Sequence, residues 1–192
     1  TKDLSQVCPG NAVYAVLLSD VGKVIDDAVV FHLDEQAKKN FKAEWLICLG
    51  AGLGLRYIQK QAKKRKLNIY GLDILKPKFN KKKVFTERFH FIKKDLTKLK
   101  SFKSKVKIDM IIHLAGIPSP TYYKKYPFKT YYLNSDLSQI FLEYAKKNKS
   151  KFIYFSSSEI YGNPDDKNIP TKESYEGRVS SISDRSCYDE SK

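Results

Sequence analysis

Trp45-Leu46-Ile47-Cys48-Leu49-Gly50-Ala51-Gly52-Leu53-Gly54-Leu55 is the stretch that decides the fold. Residues 45–49 form a short, unbroken apolar run of the kind buried on both faces of a parallel sheet. The glycines that follow at once call for a tight turn, and residues 53–65 then read as a helix. In that order, strand, glycine-rich turn and helix make a cradle for a dinucleotide. Positions without side chains let a pyrophosphate approach the backbone, and the helix N-terminus offers free N–H groups and positive potential. Gly50 and Gly52 are the candidate pyrophosphate contacts. A purely structural turn explains the same glycines, and a Gly-x-Gly-x-x-Gly pattern started at Gly50 meets Leu55 where its third glycine belongs.

Working outward, Asn68-Ile69-Tyr70-Gly71-Leu72-Asp73 reads as a second strand that ends in an acid. A carboxylate about 20 residues past the loop can accept hydrogen bonds from ribose hydroxyls and would repel a 2′-phosphate, so Asp73 favours NAD over NADP. His90-Phe91-Ile92, residues 110–114 and residues 151–155 are further strands, with a helix at 131–147. Strands separated by crossovers predict an α/β chain with a Rossmann-like, doubly wound parallel sheet. Residues 162–183, rich in Gly, Pro, Asp, Asn and Ser, read as a surface loop before a final helix.

On the other side of the loop, residues 12–18 and 24–32 are rich in strand formers around a plausible turn at 19–22, which predicts a small N-terminal β-hairpin. Residues 34–41 read as a short helix. The chain thus divides into an extension, residues 1–44, of unknown role and a dinucleotide-binding domain, residues 45–192.

Composition narrows the class. With 192 residues, 42% hydrophobic and 30% charged, the chain can bury one full core. No apolar run approaches the roughly 20 residues of a membrane span, and no secretory signal opens the sequence, so a cytoplasmic location is expected. Cys8, Cys48 and Cys187 are too scattered for a disulfide framework or a metal cluster, and no metal site is expected elsewhere. The formal charge of +15 comes largely from lysine runs such as Lys81-Lys82-Lys83, which read as solvated surface. That field also favours an anionic nucleotide sugar. Specific nucleic-acid binding is not expected, since no aromatic-interleaved groove motif or zinc-finger spacing accompanies the charge.

The chemistry lies at the other end. Phe155-Ser156-Ser157-Ser158-Glu159-Ile160-Tyr161-Gly162 follows a strand, which brings its polar groups to the carboxyl edge of the sheet, where ligands bind. In Tyr188-Asp189-Glu190-Ser191-Lys192 the tyrosine and lysine are spaced four apart and share a helix face. A tyrosine with a pKa of ~10 is a poor base at neutral pH, and an adjacent cation favours its phenolate. Such a phenolate can take the proton of a sugar hydroxyl while a nicotinamide accepts the carbinol hydride. A Tyr-x-x-x-Lys spacing alone is common by chance. His113, on a buried strand, reads as core.

Residues 45–192 resemble the extended short-chain dehydrogenase/reductase family of NAD-dependent epimerases and dehydratases, and within it the UDP-glucuronic acid decarboxylase (UDP-xylose synthase) branch. The marks are Ile69-Tyr70-Gly71-Leu72-Asp73, His113-Leu114-Ala115, Ser119-Pro120-Thr121-Tyr122-Tyr123 with Pro127 and Asn134, Ser158-Glu159-Ile160-Tyr161-Gly162, and Arg185-Ser186-Cys187-Tyr188-Asp189-Glu190-Ser191-Lys192. The resemblance makes Tyr188 the base, Lys192 its pKa-lowering and ribose-binding partner, Ser157 the catalytic serine and Glu159 the acid that assists at C5. It places Ser158 and Tyr123 beside the sugar. It gives Gly50, Gly52, Asp73, Asp95 and Ala115 to the cofactor, together with Tyr188 and Lys192, and makes Asn134 a structural residue.

The implied activity is that of an NAD-dependent carboxy-lyase acting on a UDP-glucuronate-like nucleotide sugar. The alternatives are an epimerase or 4,6-dehydratase of the same family, or a catalytically inactive NAD- or protein-binding fragment. A homodimer is compatible with the resemblance. Two departures bear on the loop: Leu49 and Leu55 stand at the family's first and third glycines, where a Cβ threatens the tight turn and close helix packing. Leu137 likewise replaces a glycine. Family members continue far beyond the lysine, so the resemblance covers the cofactor half and leaves out the C-terminal substrate region.

Overall fold

A computed structural model describes residues 13–15, 45–50, 65–74 and 88–192. Six strands, β1 (Val13–Ala15), β2 (Trp45–Leu49), β3 (Asn68–Asp73), β4 (Phe89–Lys93), β5 (Met110–His113) and β6 (Lys151–Tyr154), form one sheet in the order β1-β6-β5-β2-β3-β4. Every pairing is parallel. This is the doubly wound α/β arrangement that the alternating pattern predicts.

The apolar run of β2 explains its central place. Leu46 and Cys48 face one core cluster with Ile69, Met110, Ile112 and Phe155, while Ile47 and Leu49 face another with Leu72, Ile111 and Phe152. From Leu46 to Leu49 no side chain is more than 1% exposed, as a strand covered on both sides requires. β1 sits on the sheet edge beside β6, with Val13 opposite Phe152. It belongs to the first strand of the expected hairpin; the second, at 24–32, lies outside the described residues, as do Gly52 and the helix at 53–65 except for its last residue.

The helices are α1 (Pro120–Lys125), α2 (Pro127–Asn134), α3 (Asp136–Asn148) and α4 (Ser186–Asp189). The helix expected at 131–147 is two segments joined at Ser135 (φ −102°, ψ −71°). A continuous apolar stripe runs through the joint: Leu133, Leu137, Phe141 and Ala145 are all buried against the sheet. Leu137 is fully buried there, so its side chain is used by the core. Prolines at the starts of α1 and α2 fill positions where a helix has no N–H partner to lose. Residues 162–183 are loop, pinned by a bridge from Gly162 to Arg178.

Candidate active site

The strand order fixes where a ligand can enter. The chain runs outward from β2 through β3 to β4, then returns to the other side of β2 with β5 and β6, so the strand order reverses between β2 and β5. Crevices beyond the carboxyl ends of strands open at such a point. Two residues close it from below, Gly50 after β2 and Ala115 after β5. Gly50 has φ +74°, and a Cβ on it would lie 2.6 Å from both Cα and N of Ala115. Two backbones touch here, so only glycine fits. Leu49, the departure that threatened the turn, is the last residue of β2 and wholly buried. Gly50, the next residue, takes a positive φ, and Leu49 packs in the core.

The other strand ends carry the acids. Asp73 closes β3, and its carbonyl accepts from Lys94 N–H at 2.8 Å. Burial, and then the charge of Asp73, pushes the Cys48 thiol far up, which makes it an inert core residue. Asp95 follows β4 and caps the 3-10 turn Leu96–Lys98: its Oδ1 accepts from Thr97 N–H at 3.1 Å and Thr97 Oγ1 at 2.6 Å. The Thr97 hydroxyl bond holds this carboxyl below its usual range. Ala115, Gly50, Asp73 and Asp95 therefore follow or close the carboxyl ends of β5, β2, β3 and β4, neighbouring strands of the sheet. A carboxylate such as that of Asp73 can accept from the ribose hydroxyls of NAD.

Across the reversal point a second group gathers. Tyr188 of α4 is buried, its ring stacked on that of Tyr123 from α1 with centroids 5.0 Å apart and planes at 14°. The Ser157 hydroxyl is close enough to the Tyr188 phenol to draw it downward. Ser157 also accepts from Glu159 N–H at 3.4 Å, which fixes it at the head of the turn Ser158–Tyr161. Lys192 lies one turn beyond Tyr188, with its N–H bonded to Tyr188 O at 3.1 Å. Its ammonium donates to Phe155 O at 2.9 Å and stands 5.0 Å from the ring centroid of Tyr154 and 5.9 Å from that of Tyr188.

Burial dominates the electrostatics. It raises the Tyr188 phenol above its ordinary value, against the pull of the Ser157 hydroxyl, and it brings Lys192 down to about 8. His113 is driven down to about 3, first by burial and then by the charge of Lys192, so it is a neutral core residue. As the groups stand, Tyr188 is a protonated donor at neutral pH. A ligand that adds positive charge near the ring would move it toward the phenolate.

Glu159 pairs with Arg185, whose Nε also stands 3.7 Å from Asp189 Oδ2. Ser158 is exposed beside it. Contacts that no sequence motif announced complete the group. Asn134 Nδ2 donates to Ser191 Oγ at 2.9 Å, and Asn134 Oδ1 is buried with no hydrogen-bond partner. A Cβ on Gly116 would lie 3.2 Å from that oxygen and 3.6 Å from Lys192 Nζ, so glycine keeps the space beside the lysine clear. Only the backbone ends of β5 and α2 bring these residues together, and spacing along the chain carries no sign of it.

Residues 49–192 match the NAD dependent epimerase/dehydratase family. The chain belongs to this family. UDP-glucuronic acid decarboxylase 5 of Arabidopsis thaliana is 36% identical over 151 residues, which cover 77% of this chain and 42% of that protein. UDP-glucuronic acid decarboxylase 1 of the same plant is 42% identical over 87 residues, 45% of this chain and 20% of that protein. Among solved structures, epimerase Mth375 from Methanothermobacter thermautotrophicus superposes with a TM-score of 0.60 at 22% identity, over 84% of this chain and 48% of that one. The UDP-Glc/GlcNAc 4-epimerase of Campylobacter jejuni gives 0.58 at 23%, over 77% and 45%. The chain therefore spans less than half the length of these epimerase/dehydratase relatives. No helix among the described residues is long and apolar enough to cross a membrane.

Proposed function

We propose that residues 45–192 are the NAD-binding, base-bearing half of a nucleotide-sugar enzyme, and that its reaction is the decarboxylation of UDP-glucuronate to UDP-xylose. The observation that carries the chemistry is the gathering of Ser157, Tyr188 and Lys192 where β5 and β6 end, with the Lys192 ammonium bonded to Phe155 O and 5.9 Å from the Tyr188 ring centroid. The identity to UDP-glucuronic acid decarboxylases supports the choice of reaction over epimerisation or dehydration.

Gly50 and Gly52 would receive the pyrophosphate of NAD, Asp73 the adenosine ribose, Asp95 the adenine side, and Ala115 and Lys192 the nicotinamide half. When bound, NAD supplies the oxidation and later re-reduction of the sugar at C4. Tyr188 takes the proton of the C4 hydroxyl and returns it at the end, while Ser157 holds the same oxygen. Lys192 favours the phenolate by its charge. The 4-keto group is β to the carboxylate and takes up the electron pair of the bond to C5 as carbon dioxide leaves. C5 then takes a proton from water, and the 4-keto group is restored for re-reduction. Glu159 would assist there, with Ser158 and Tyr123 on the sugar side.

Calorimetric titration with NAD followed by a UDP-glucuronate turnover assay tests this reading. NAD binding with release of carbon dioxide is expected, and Tyr188→Phe should cut turnover by roughly 10²- to 10⁴-fold with little loss of NAD affinity. Absence of NAD binding overturns the cofactor reading. Undiminished turnover by the Phe variant overturns the role of Tyr188.

A further inference from the structure

We infer that Arg185 is a positioning residue that locks the turn carrying Ser157 to the helix carrying Tyr188. This inference rests on the reading of Tyr188 and Ser157 as partners in one site.

α4 is a single turn of helix, too short to hold itself, so its tertiary ties decide where Tyr188 sits. Most of those ties run to other elements: Tyr123 of α1 stacks on Tyr188, Cys187 Sγ reaches Tyr123 O at 3.7 Å, Asn134 of α2 donates to Ser191, and Lys192 donates to Phe155 O after β6. The turn Ser158–Tyr161 is held to α4 differently. Its Glu159 carboxylate pairs with Arg185, the residue that caps α4 at its N-terminal end. Glu159 N–H is in turn bonded to Ser157 Oγ. The series Arg185, Glu159, Ser157, Tyr188 therefore closes a ring, in which the ion pair sets how near the serine comes to the phenol.

The guanidinium has a second carboxylate within reach. Asp189 Oδ2 lies 3.7 Å from Arg185 Nε, and Asp189 is buried, with its Oδ1 lacking any hydrogen-bond partner. One planar fork thus faces a carboxylate on the turn and another on the helix, a geometry that a lysine ammonium cannot reproduce. Arg185 and Glu159 are both partly solvated, so the pair contributes little to global stability. Its consequence is geometric.

The test is a titration of Tyr188 by NMR of the chain labelled at tyrosine Cζ, with the signal assigned by Tyr188→Phe. Ser157→Ala should raise the Tyr188 midpoint, because it removes the hydroxyl that draws the phenol downward. In an Arg185→Met background, and independently in a Glu159→Gln background, Ser157→Ala should produce a smaller shift, while the melting temperature of each background stays close to that of the parent chain. Arg185→Lys should restore the Ser157 effect only in part. The comparison is between backgrounds, so loss of the arginine charge alone, which moves both midpoints together, does not imitate the result. An equal Ser157→Ala shift in all backgrounds, or no shift in the parent, overturns the inference. The titration reads Arg185 whether or not UDP-glucuronate is turned over, so a failure of the enzymatic reading shows separately, in the turnover assay.

Discussion

The two sides of the sheet on either flank of the β2–β5 boundary are built by different means. On the β2-β3-β4 side, the candidate cofactor residues stand at consecutive strand ends and are placed by backbone: Gly50 N–H bonds to Leu72 O at 2.9 Å, and Asp73 O accepts from Lys94 N–H. On the β5-β6 side, the candidate chemistry is held by side chains that meet across long stretches of chain, with Tyr123 on Tyr188, Asn134 on Ser191 and Arg185 on Glu159. Backbone placement tolerates changes of side chain, provided the glycine stays. Side-chain placement does not, because each contact has a specific partner.

The sharpest way to break this contrast is at its backbone hinge. Gly50→Val puts a Cβ 2.6 Å from the backbone of Ala115 at a positive φ, and neither backbone can yield without disturbing β2 or β5. A loss on the order of 4 kcal/mol is expected in urea denaturation. A loss below about 1 kcal/mol would mean that the hinge adapts and that backbone contact does not govern this side.

On the side-chain half, Tyr123→Ala removes a buried ring and the stack beneath Tyr188, at a cost of roughly 3 kcal/mol. Tyr123 and Asn134 grip the same short segment. Denaturation of the double variant Tyr123→Ala/Asn134→Ala should therefore show less than the sum of the two single losses. Strict additivity would show that α4 is held piecewise and would weaken the picture of a knit group.

A smaller effect follows from Lys192. Its folded value is about 8, against an ordinary 10.5. Between those two pH values the unfolded chain holds the extra proton, so stability rises with pH across the window. The parent chain should gain on the order of 2 kcal/mol relative to Lys192→Met between about pH 8 and pH 10. A flat difference would place Lys192 in solvent and remove it from the Tyr188 group.

The same division explains what could be read in advance. The strands, their parallel order and the acids at their ends were legible, because an apolar run such as 45–49 and a terminal carboxylate such as Asp73 are local signals. The pair Tyr188 and Lys192 was legible by its spacing. The break of the long helix at Ser135 was not, since the stripe of Leu133, Leu137 and Phe141 continues through it and hides the joint. Leu49, which the resemblance set at a loop glycine, ends the strand expected at 45–49 and packs in the core, while the positive φ falls on Gly50.

The Tyr188 phenol makes the point in chemical terms. Spacing led to the expectation of a lysine that lowers it. In the folded chain burial raises it, and the Lys192 ammonium is engaged by Phe155 O. Desolvation depends on everything packed around a group, and no local pattern encodes it. By itself the sequence determined the sheet, the family and the candidate site residues, since periodicity and motif are properties of neighbours along the chain. Tertiary structure alone decided the protonation tendencies of Tyr188 and Lys192, the partner of Glu159 and the glycine that bears the turn, because those depend on groups that folding brings together from distant positions.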